Sequence, residues 1–495
     1  MIKLVVNHDF AMEAADIVRL FYGIQDIEIL KPETLENDQG LFKDSDILLQ
    51  SLLEYNTESI SAHSSMKHQE IKSEHNEVFL TTCDLKKQVK AAVKLTMYKL
   101  LSNRLNKSYP WGILTGIRPL KIVHELLDKG YDREYIMEYM ENNHLVSKEK
   151  AELSIDIAFT ERRFIYPLDS NKVSIYIGIP FCPTRCHYCS FTSNSLKTAG
   201  NMVEGYLIAL IYEMEQTAAF MNKNNLMVQT IYIGGGTPTT LSEKQLELLL
   251  GKAQKLFGGN LLEFTCEAGR PDTITEGKLL IMKQYGVTRI SINPQSMNDE
   301  TLVRIGRAHT VLETIKSFEL ARELGFDNIN MDIILGLSGE GLQHLDNTLQ
   351  QIAKLQPESL TVHTMAIKRA SIIHEKLKQS EITEGIVAQM MEKATAFAKQ
   401  QDMKPYYLYR QKHMTENLEN IGYCKPGFEC IYNIQIIEEK QTNIAFGADA
   451  ITKAIYIDSG LIKRQRNIKD IKLYIENIQQ QIDKKIQLLD ELYNK

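Results

Sequence analysis

The sequence predicts an α/β protein: a partial (β/α)6 barrel over residues 171–380, preceded by an α/β domain (1–170) and followed by an α+β domain (381–495). Three observations predict it. From about residue 172, short apolar β-rich runs alternate six times with helical patterns, which implies βαβ units and a parallel sheet. The polar residues of chemical interest fall at the carboxyl ends of those runs, where barrel chemistry collects. A chain of 495 residues is also too long for one core and suggests about three domains.

In the first domain, IKLVV (2–6) reads as a strand before a helix from about Met12 to Tyr22. EVFLTTC (77–83) precedes an amphipathic helix in which Val93, Met97, Leu100 and Leu101 share a face. WGILTGIRPLKIVHELLDKGYDREYIMEYM (111–140) reads as a turn and two helices, with Gly130 a stop for the first. Trp111 and Arg118 could mark a site, but a tryptophan more commonly packs a turn against its helices.

The barrel strands follow. VSIYIGI (173–179) is the first, before a cysteine-bearing loop and a helix with Tyr206, Leu207, Leu210, Ile211 and Met214 on one face. QTIYIGGG (229–236) is the second. Its helix opens with SEKQ (242–245), a capping-box pattern, and repeats apolar residues at Leu246, Leu249, Leu250 and Ala253. LLEFTCE (261–267), TRISINP (288–294), NINMDIILG (328–336) and SLTVHTM (359–365) complete the set. Cys182 follows strand one, Gly234 to Gly236 end strand two, Glu267 ends strand three, Gln295 follows strand four and Asp332 is assigned to the end of strand five.

The last domain opens with a helix (GIVAQMMEKATAFAKQQ) and the aromatic segment PYYLYRQKHM. After a mixed stretch comes a polar helix with Ile471, Ile475, Ile478 and Ile482 in register, too short for a coiled coil.

Composition excludes several classes. Hydrophobic residues make up 43% and charged residues 24%, as in ordinary globular proteins. A net charge of -6 supplies no global basic field for nucleic acid or an anionic membrane. No run of about 18 apolar residues could span a bilayer, and no signal peptide is legible, so the chain reads as cytoplasmic.

Cys182, Cys186 and Cys189 are spaced C-x3-C-x2-C, while Cys83, Cys266, Cys424 and Cys430 are scattered. In a reducing compartment a disulfide framework is disfavoured. Structural zinc normally takes four ligands in two separated pairs, and no second pair is present. A metal-free core cluster suits a loop leaving a strand poorly. An iron–sulfur cluster fits best, since a [4Fe–4S] cube held by three thiolates leaves one iron open.

This spacing resembles the signature of the radical S-adenosylmethionine (SAM) superfamily. The resemblance extends to Tyr188 within the motif and to the glycine-rich GGGTP (234–238). It implies a radical-SAM barrel with a [4Fe–4S] cluster on Cys182, Cys186 and Cys189, whose open iron chelates SAM. One-electron cleavage then yields a 5′-deoxyadenosyl radical, with the protein positioning the reactants. YIGIPFC (176–182) resembles the oxygen-independent coproporphyrinogen III oxidase (dehydrogenase) family. That resemblance implies SAM contacts from Tyr176, Gly234, Gly235, Gly236, Thr237, Glu267, Gln295, Arg307 and Asp332. LTGIRPLKIVHELL, PESLTVHTMAIKRAS, PYYLYRQKHM and GADAITK look like the HemZ branch, so the similarity spans nearly the whole chain.

The family reaction is oxidative decarboxylation of two propionates of coproporphyrinogen III to vinyl groups, giving protoporphyrinogen IX in haem biosynthesis. Coproporphyrinogen III or another tetrapyrrole and an unidentified electron donor are the implied partners. A substrate with four carboxylates calls for local cations, and Lys368, Arg369, Tyr409, Arg410 and Lys412 are the candidates; His363 ends strand six nearby. Two positions depart from the family: Phe191 stands in the place of a fourth cysteine, and Gly178 in the place of a histidine. Phe191 is similar to the haem-chaperone and haem-modifying relatives, so a haem chaperone or a haem-modifying enzyme stays open beside the dehydrogenase.

Overall fold

The computed structural model describes residues 1–23, 26–37, 46–69, 71–80, 84–116, 118–189, 194–366, 385–411 and 414–494. The chain forms two compact units: residues 1–155 with 410–418, and residues 156–409 with 419–495.

The first unit is built on a five-stranded sheet. Its strands are β1 (Ile2–Val6), β2 (Ile27–Leu30), β3 (Ile47–Tyr55), β4 (Ser59–His68) and β5 (Ile71–Leu80), in the order β2-β1-β3-β4-β5. β1 runs parallel to β2 and β3, and β3, β4 and β5 form an antiparallel meander. One face is covered by the helices Ala11–Tyr22 and Leu85–Leu105. Val93, Met97, Leu100 and Leu101 are buried there, as the periodicity predicts. β4 was not legible: its inward positions are Ile60, Ala62, Ser64 and Met66, and two small residues among them weaken the alternation. Trp111 is fully buried, with the Arg410 guanidinium 5.2 Å from its ring. It packs a turn, as the bland reading has it.

The second unit carries the six barrel strands β6 (Lys172–Ile179), β9 (Met227–Gly235), β10 (Glu263–Glu267), β11 (Arg289–Ser291), β12 (Ile329–Leu335) and β13 (Ser359–Thr364). They are all parallel and lie side by side in chain order. Between β6 and β9, the two-residue strands β7 (Phe181–Cys182) and β8 (Asn194–Ser195) pair across the cysteine loop. The helix after β9 is capped as predicted: Ser242 Oγ accepts from Gln245 N, and Gln245 Oε1 accepts from Ser242 N at 3.0 Å.

Residues 385–409 and 419–494 belong to the same unit as the barrel, because their strands continue its sheet, while residues 410–418 belong to the first unit. β15 (Asn420–Cys424) pairs antiparallel with β13, and β14 (Lys404–Tyr409) with β15. At the other edge β16 (Thr442–Phe446) runs parallel to β6, followed by the antiparallel hairpin β17 (Ile451–Tyr456) and β18 (Leu461–Arg466). Both edges of the parallel sheet are therefore paired, as a buried sheet requires. The isoleucine stripe is divided between two helices, Ile471–Glu476 and Ile478–Tyr493, instead of one. Ile471 and Ile482 are buried, and Lys485 enters the core to meet Glu213 of the helix Val203–Lys223, with both side chains fully buried. Among the described residues no helix is long and apolar enough to cross a membrane.

Candidate functional site

Because the six strands are parallel, their carboxyl ends form one rim, and the cysteine loop leaves β6 there. The glycine segment ending β9 stitches the loop in place: Gly236 N donates to Ile179 O and Thr237 N to Phe181 O, both at 2.8 Å. Thr237 Oγ1 reaches Cys182 Sγ at 3.5 Å. Gly235 has φ +109, and a Cβ on Gly236 would lie 2.5 Å from Phe181 O and 3.0 Å from Cys182 Sγ. The glycines are required by this close approach and not only by a turn. From the other side, His187 N donates to Ile305 O at 3.0 Å and Thr184 Oγ1 to Gly306 O at 3.3 Å. Cys189 N donates to Cys186 O at 3.2 Å, closing a turn that holds the second and third cysteines.

Three polar groups line the rest of the rim. At β10, Glu267 accepts a 2.6 Å hydrogen bond from Tyr232. Burial pushes the Glu267 carboxyl up to about 7; the Tyr232 hydrogen bond opposes this and the charge of Asp332 adds to it. Tyr176, Tyr232 and Tyr432 stack beside it, with ring centroids 4.6 Å apart for the closest pair, Tyr232 and Tyr432. Burial and Glu267 push the Tyr176 phenol well above its usual range.

At β12, Asp332 accepts from Asn330 Nδ2 at 2.7 Å and lies 3.7 Å from His363 Nε2. Although burial works against it, His363 and Asn330 hold its carboxyl below the usual range. His363 Nδ1 meets Tyr409 Oη at 3.4 Å, so Tyr409, His363 and Asp332 form a chain. Asp332 sits mid-strand, paired with Thr361, and not at the strand end assigned from the sequence; the strand runs three residues further. Gln295 has φ +66, and its Oε1 is buried with no hydrogen-bond partner among the described residues.

Arg307 crosses the rim. Its Nε and Nη2 donate to Tyr188 Oη at 3.3 and 2.9 Å, and its Nη1 to Gly269 O and Asn293 O at 3.0 and 3.2 Å. The arginine thereby ties the cysteine loop to the ends of two strands.

The structure thus gathers Cys182, Cys186, Cys189, Tyr176, Gly234 to Thr237, Glu267, Gln295, Arg307, Asp332 and Tyr409 in the second unit. Arg410 is different. It is 1% exposed, and its guanidinium donates to Leu114 O, Leu418 O and Asn417 in the first unit, which makes it a packing residue. Lys368, Arg369, Lys412 and Phe191 lie outside the described residues. Two residues of the site escaped the sequence reading. Tyr232 precedes Gly234 by two, the strand period that puts both on one face. Arg270 follows Glu267 by three and bears on Cys186; no motif marks it.

Comparison with known proteins shows the family and the fold. Residues 176–352 match the model of the radical SAM superfamily. Over 485 residues the chain is 41% identical to the oxygen-independent coproporphyrinogen-III oxidase-like protein HemZ of Bacillus subtilis (strain 168), covering 96% of this chain and 97% of that protein. The chain belongs to the HemZ family of radical SAM proteins. It is also 33% identical over 310 residues to the heme chaperone HemW of Bacillus subtilis, covering 62% of this chain and 76% of HemW. Among solved structures, coproporphyrinogen III oxidase (HemN) from Escherichia coli, a radical SAM enzyme, shares the fold. Its TM-score is 0.52 at 22% identity, covering 66% of this chain and 73% of that one.

Members of this superfamily bind a [4Fe–4S] cluster and SAM, and the residues of this HemZ relative fit both. Cys182 ends β7 and Cys186 and Cys189 share a turn further along the same loop, with Gly236 leaving room beside Cys182 Sγ that a methyl would fill. The orphaned Gln295 amide oxygen and the Glu267 carboxyl at the rim, with the Asp332 carboxyl further back along β12, offer acceptors for a cation and hydroxyls. The other described cysteines, Cys266, Cys424 and Cys430, are buried, and burial pushes their thiols up, away from the thiolate form that ligates metal.

Proposed function

We propose that this protein catalyses the oxygen-independent oxidative decarboxylation of coproporphyrinogen III, converting two propionates to vinyl groups. Each propionate loses one hydrogen atom to the radical, then CO2 and one further electron, which passes to an external one-electron acceptor. The observation that carries the reading is the extent of the HemZ similarity: it covers 96% of the chain, first unit included, where HemW covers 62%.

Cys182, Cys186 and Cys189 would hold the cluster. When bound, the cluster and SAM supply a one-electron cleavage that delivers a hydrogen-abstracting radical. The protein's own residues bind and orient. Glu267 and Asp332 would accept hydrogen bonds from the ammonium and ribose hydroxyls of SAM, Arg307 would pair with its carboxylate, and Gln295, Thr237 and Gly234 to Gly236 would shape the cavity around it. Tyr176, stacked on Tyr232, walls the site and excludes water. Tyr409 is the described candidate for the substrate carboxylates; Lys368, Arg369 and Lys412 are candidates from the sequence alone. An external low-potential donor supplies the electron.

A haem chaperone is the second reading, favoured by Phe191 where the dehydrogenases carry a cysteine and by the HemW similarity. Anaerobically reconstituted protein is incubated with SAM, a strong reductant and coproporphyrinogen III, and products are followed by mass spectrometry. Vinyl products formed with 5′-deoxyadenosine support the dehydrogenase. Stoichiometric haem binding without decarboxylation supports the chaperone.

A further inference from the structure

Arg270 is 3% exposed, three residues beyond Glu267 at the rim. Its guanidinium has five N–H donors, and five acceptors meet them. Nε and Nη2 donate to the two oxygens of Asp272, each at 3.0 Å. Nη2 also donates to Thr184 Oγ1 at 3.1 Å, and Nη1 to Thr184 O at 3.4 Å. The remaining contact runs from Nη1 to Cys186 Sγ at 3.5 Å. Asp272 is itself held, 3.6 Å from His309 Nδ1. The bidentate clamp fixes the plane of the guanidinium, and Thr184, between Cys182 and Cys186 in the chain, fixes the loop against it. Cys182 receives a neutral hydroxyl from Thr237 instead. Arg270 thus directs a charged donor at Cys186 Sγ.

We propose that Arg270 is a positioning residue that holds Cys186 by a charge-assisted hydrogen bond and thereby raises the reduction potential of the cluster. Uptake of one electron from a low-potential donor adds one negative charge to the cluster and its thiolates. A hydrogen bond to a ligand sulfur strengthens as that charge grows, so it favours the reduced form. Asp272 neutralises the far edge of the guanidinium and leaves the Nη1 edge toward sulfur, so that geometry, and not net charge, delivers the effect. The inference rests on the three-cysteine cluster and not on the porphyrinogen reading, and the two fail separately.

The test is an anaerobic redox titration of the reconstituted full-length protein without SAM, followed by electron paramagnetic resonance, with iron and sulfide counted in each sample. Arg270→Met is expected to keep four irons and to lower the ratio of reduced to oxidised cluster about tenfold at a fixed potential, equivalent to about 59 mV for a one-electron couple. Arg270→Lys restores part of the shift. A fully loaded Arg270→Met protein with an unchanged midpoint overturns the proposal. If Arg270→Met does not take up the cluster, Arg270→Gln decides: it removes the charge but keeps an N–H donor, and a lowered midpoint supports the proposal where an unchanged one overturns it.

Discussion

Tyr232 donates its phenolic hydrogen to Glu267 at 2.6 Å, in a space that exists because residue 234 has no side chain: a Cβ on Gly234 would lie 2.9 Å from the Glu267 carboxyl. A strand residue, a glycine two positions on and an acid from the next strand make one unit. Its acid is held at a pKa of about 7, against an ordinary value of 4.5.

That shift has a sign. Between about pH 4.5 and 7 the folded protein keeps the Glu267 proton while the unfolded chain has released it, so stability falls as pH rises through this window. Glu267→Gln keeps an acceptor for Tyr232 and cannot ionise. It is expected to flatten the fall and to stabilise the cofactor-free protein at pH 8 by up to about 3 kcal/mol, read from urea midpoints between pH 5 and 8. An unchanged pH profile would contradict the assignment.

The cysteines divide into two groups. Cys182→Ala, Cys186→Ala and Cys189→Ala are each expected to abolish the brown chromophore and bound iron after reconstitution. Cys266→Ala, Cys424→Ala and Cys430→Ala are expected to retain both, since these thiols are buried and held in the neutral form. Loss of iron from any of the second group removes the three-ligand assignment.

Gly236 is tested by a single methyl. Gly236→Ala puts a Cβ 2.5 Å from Phe181 O, 2.9 Å from Ile179 O and 3.0 Å from Cys182 Sγ, and two of these neighbours are backbone that cannot yield cheaply. About 1–3 kcal/mol of destabilisation is expected from overpacking, together with reduced iron content per chain. Gly259→Ala, where a Cβ would meet nothing within 4 Å, is the control.

How much of this was legible follows from particular residues. The six parallel strands were, because Ile175, Ile177, Ile231, Ile233 and their counterparts form buried apolar runs between helices with explicit caps. The cysteine and glycine motifs were, because each is local. Tyr232 and Arg270 were not, since their partners lie 35 and 84 residues away and neither pairing leaves a local pattern. Arg410 read as an open cation among tyrosines. Its burial depends on Leu114, 296 residues distant. The strands β14 to β18 were missed as barrel extensions because an edge strand is recognised by its neighbour, not by its composition.

The buried ion pair supplies a stability test. Glu213 accepts from Lys485 Nζ, Asn467 Nδ2, Tyr474 Oη and Gly447 N, and both members of the pair are fully buried. Lys485→Met removes one partner and is expected to cost about 3–5 kcal/mol. Lys463→Met, at an exposed pair with Glu491, should cost less than about 1 kcal/mol. The double variant Glu213→Leu/Lys485→Met should recover part of the loss in thermal unfolding.

The measurement that bears most directly on the proposed activity uses coproporphyrinogen III deuterated at the β-carbons of its propionates, with reconstituted protein, SAM and reductant. Transfer of deuterium into 5′-deoxyadenosine, matched by release of CO2 and formation of vinyl groups, is expected. Unlabelled 5′-deoxyadenosine with all four propionates intact would contradict it.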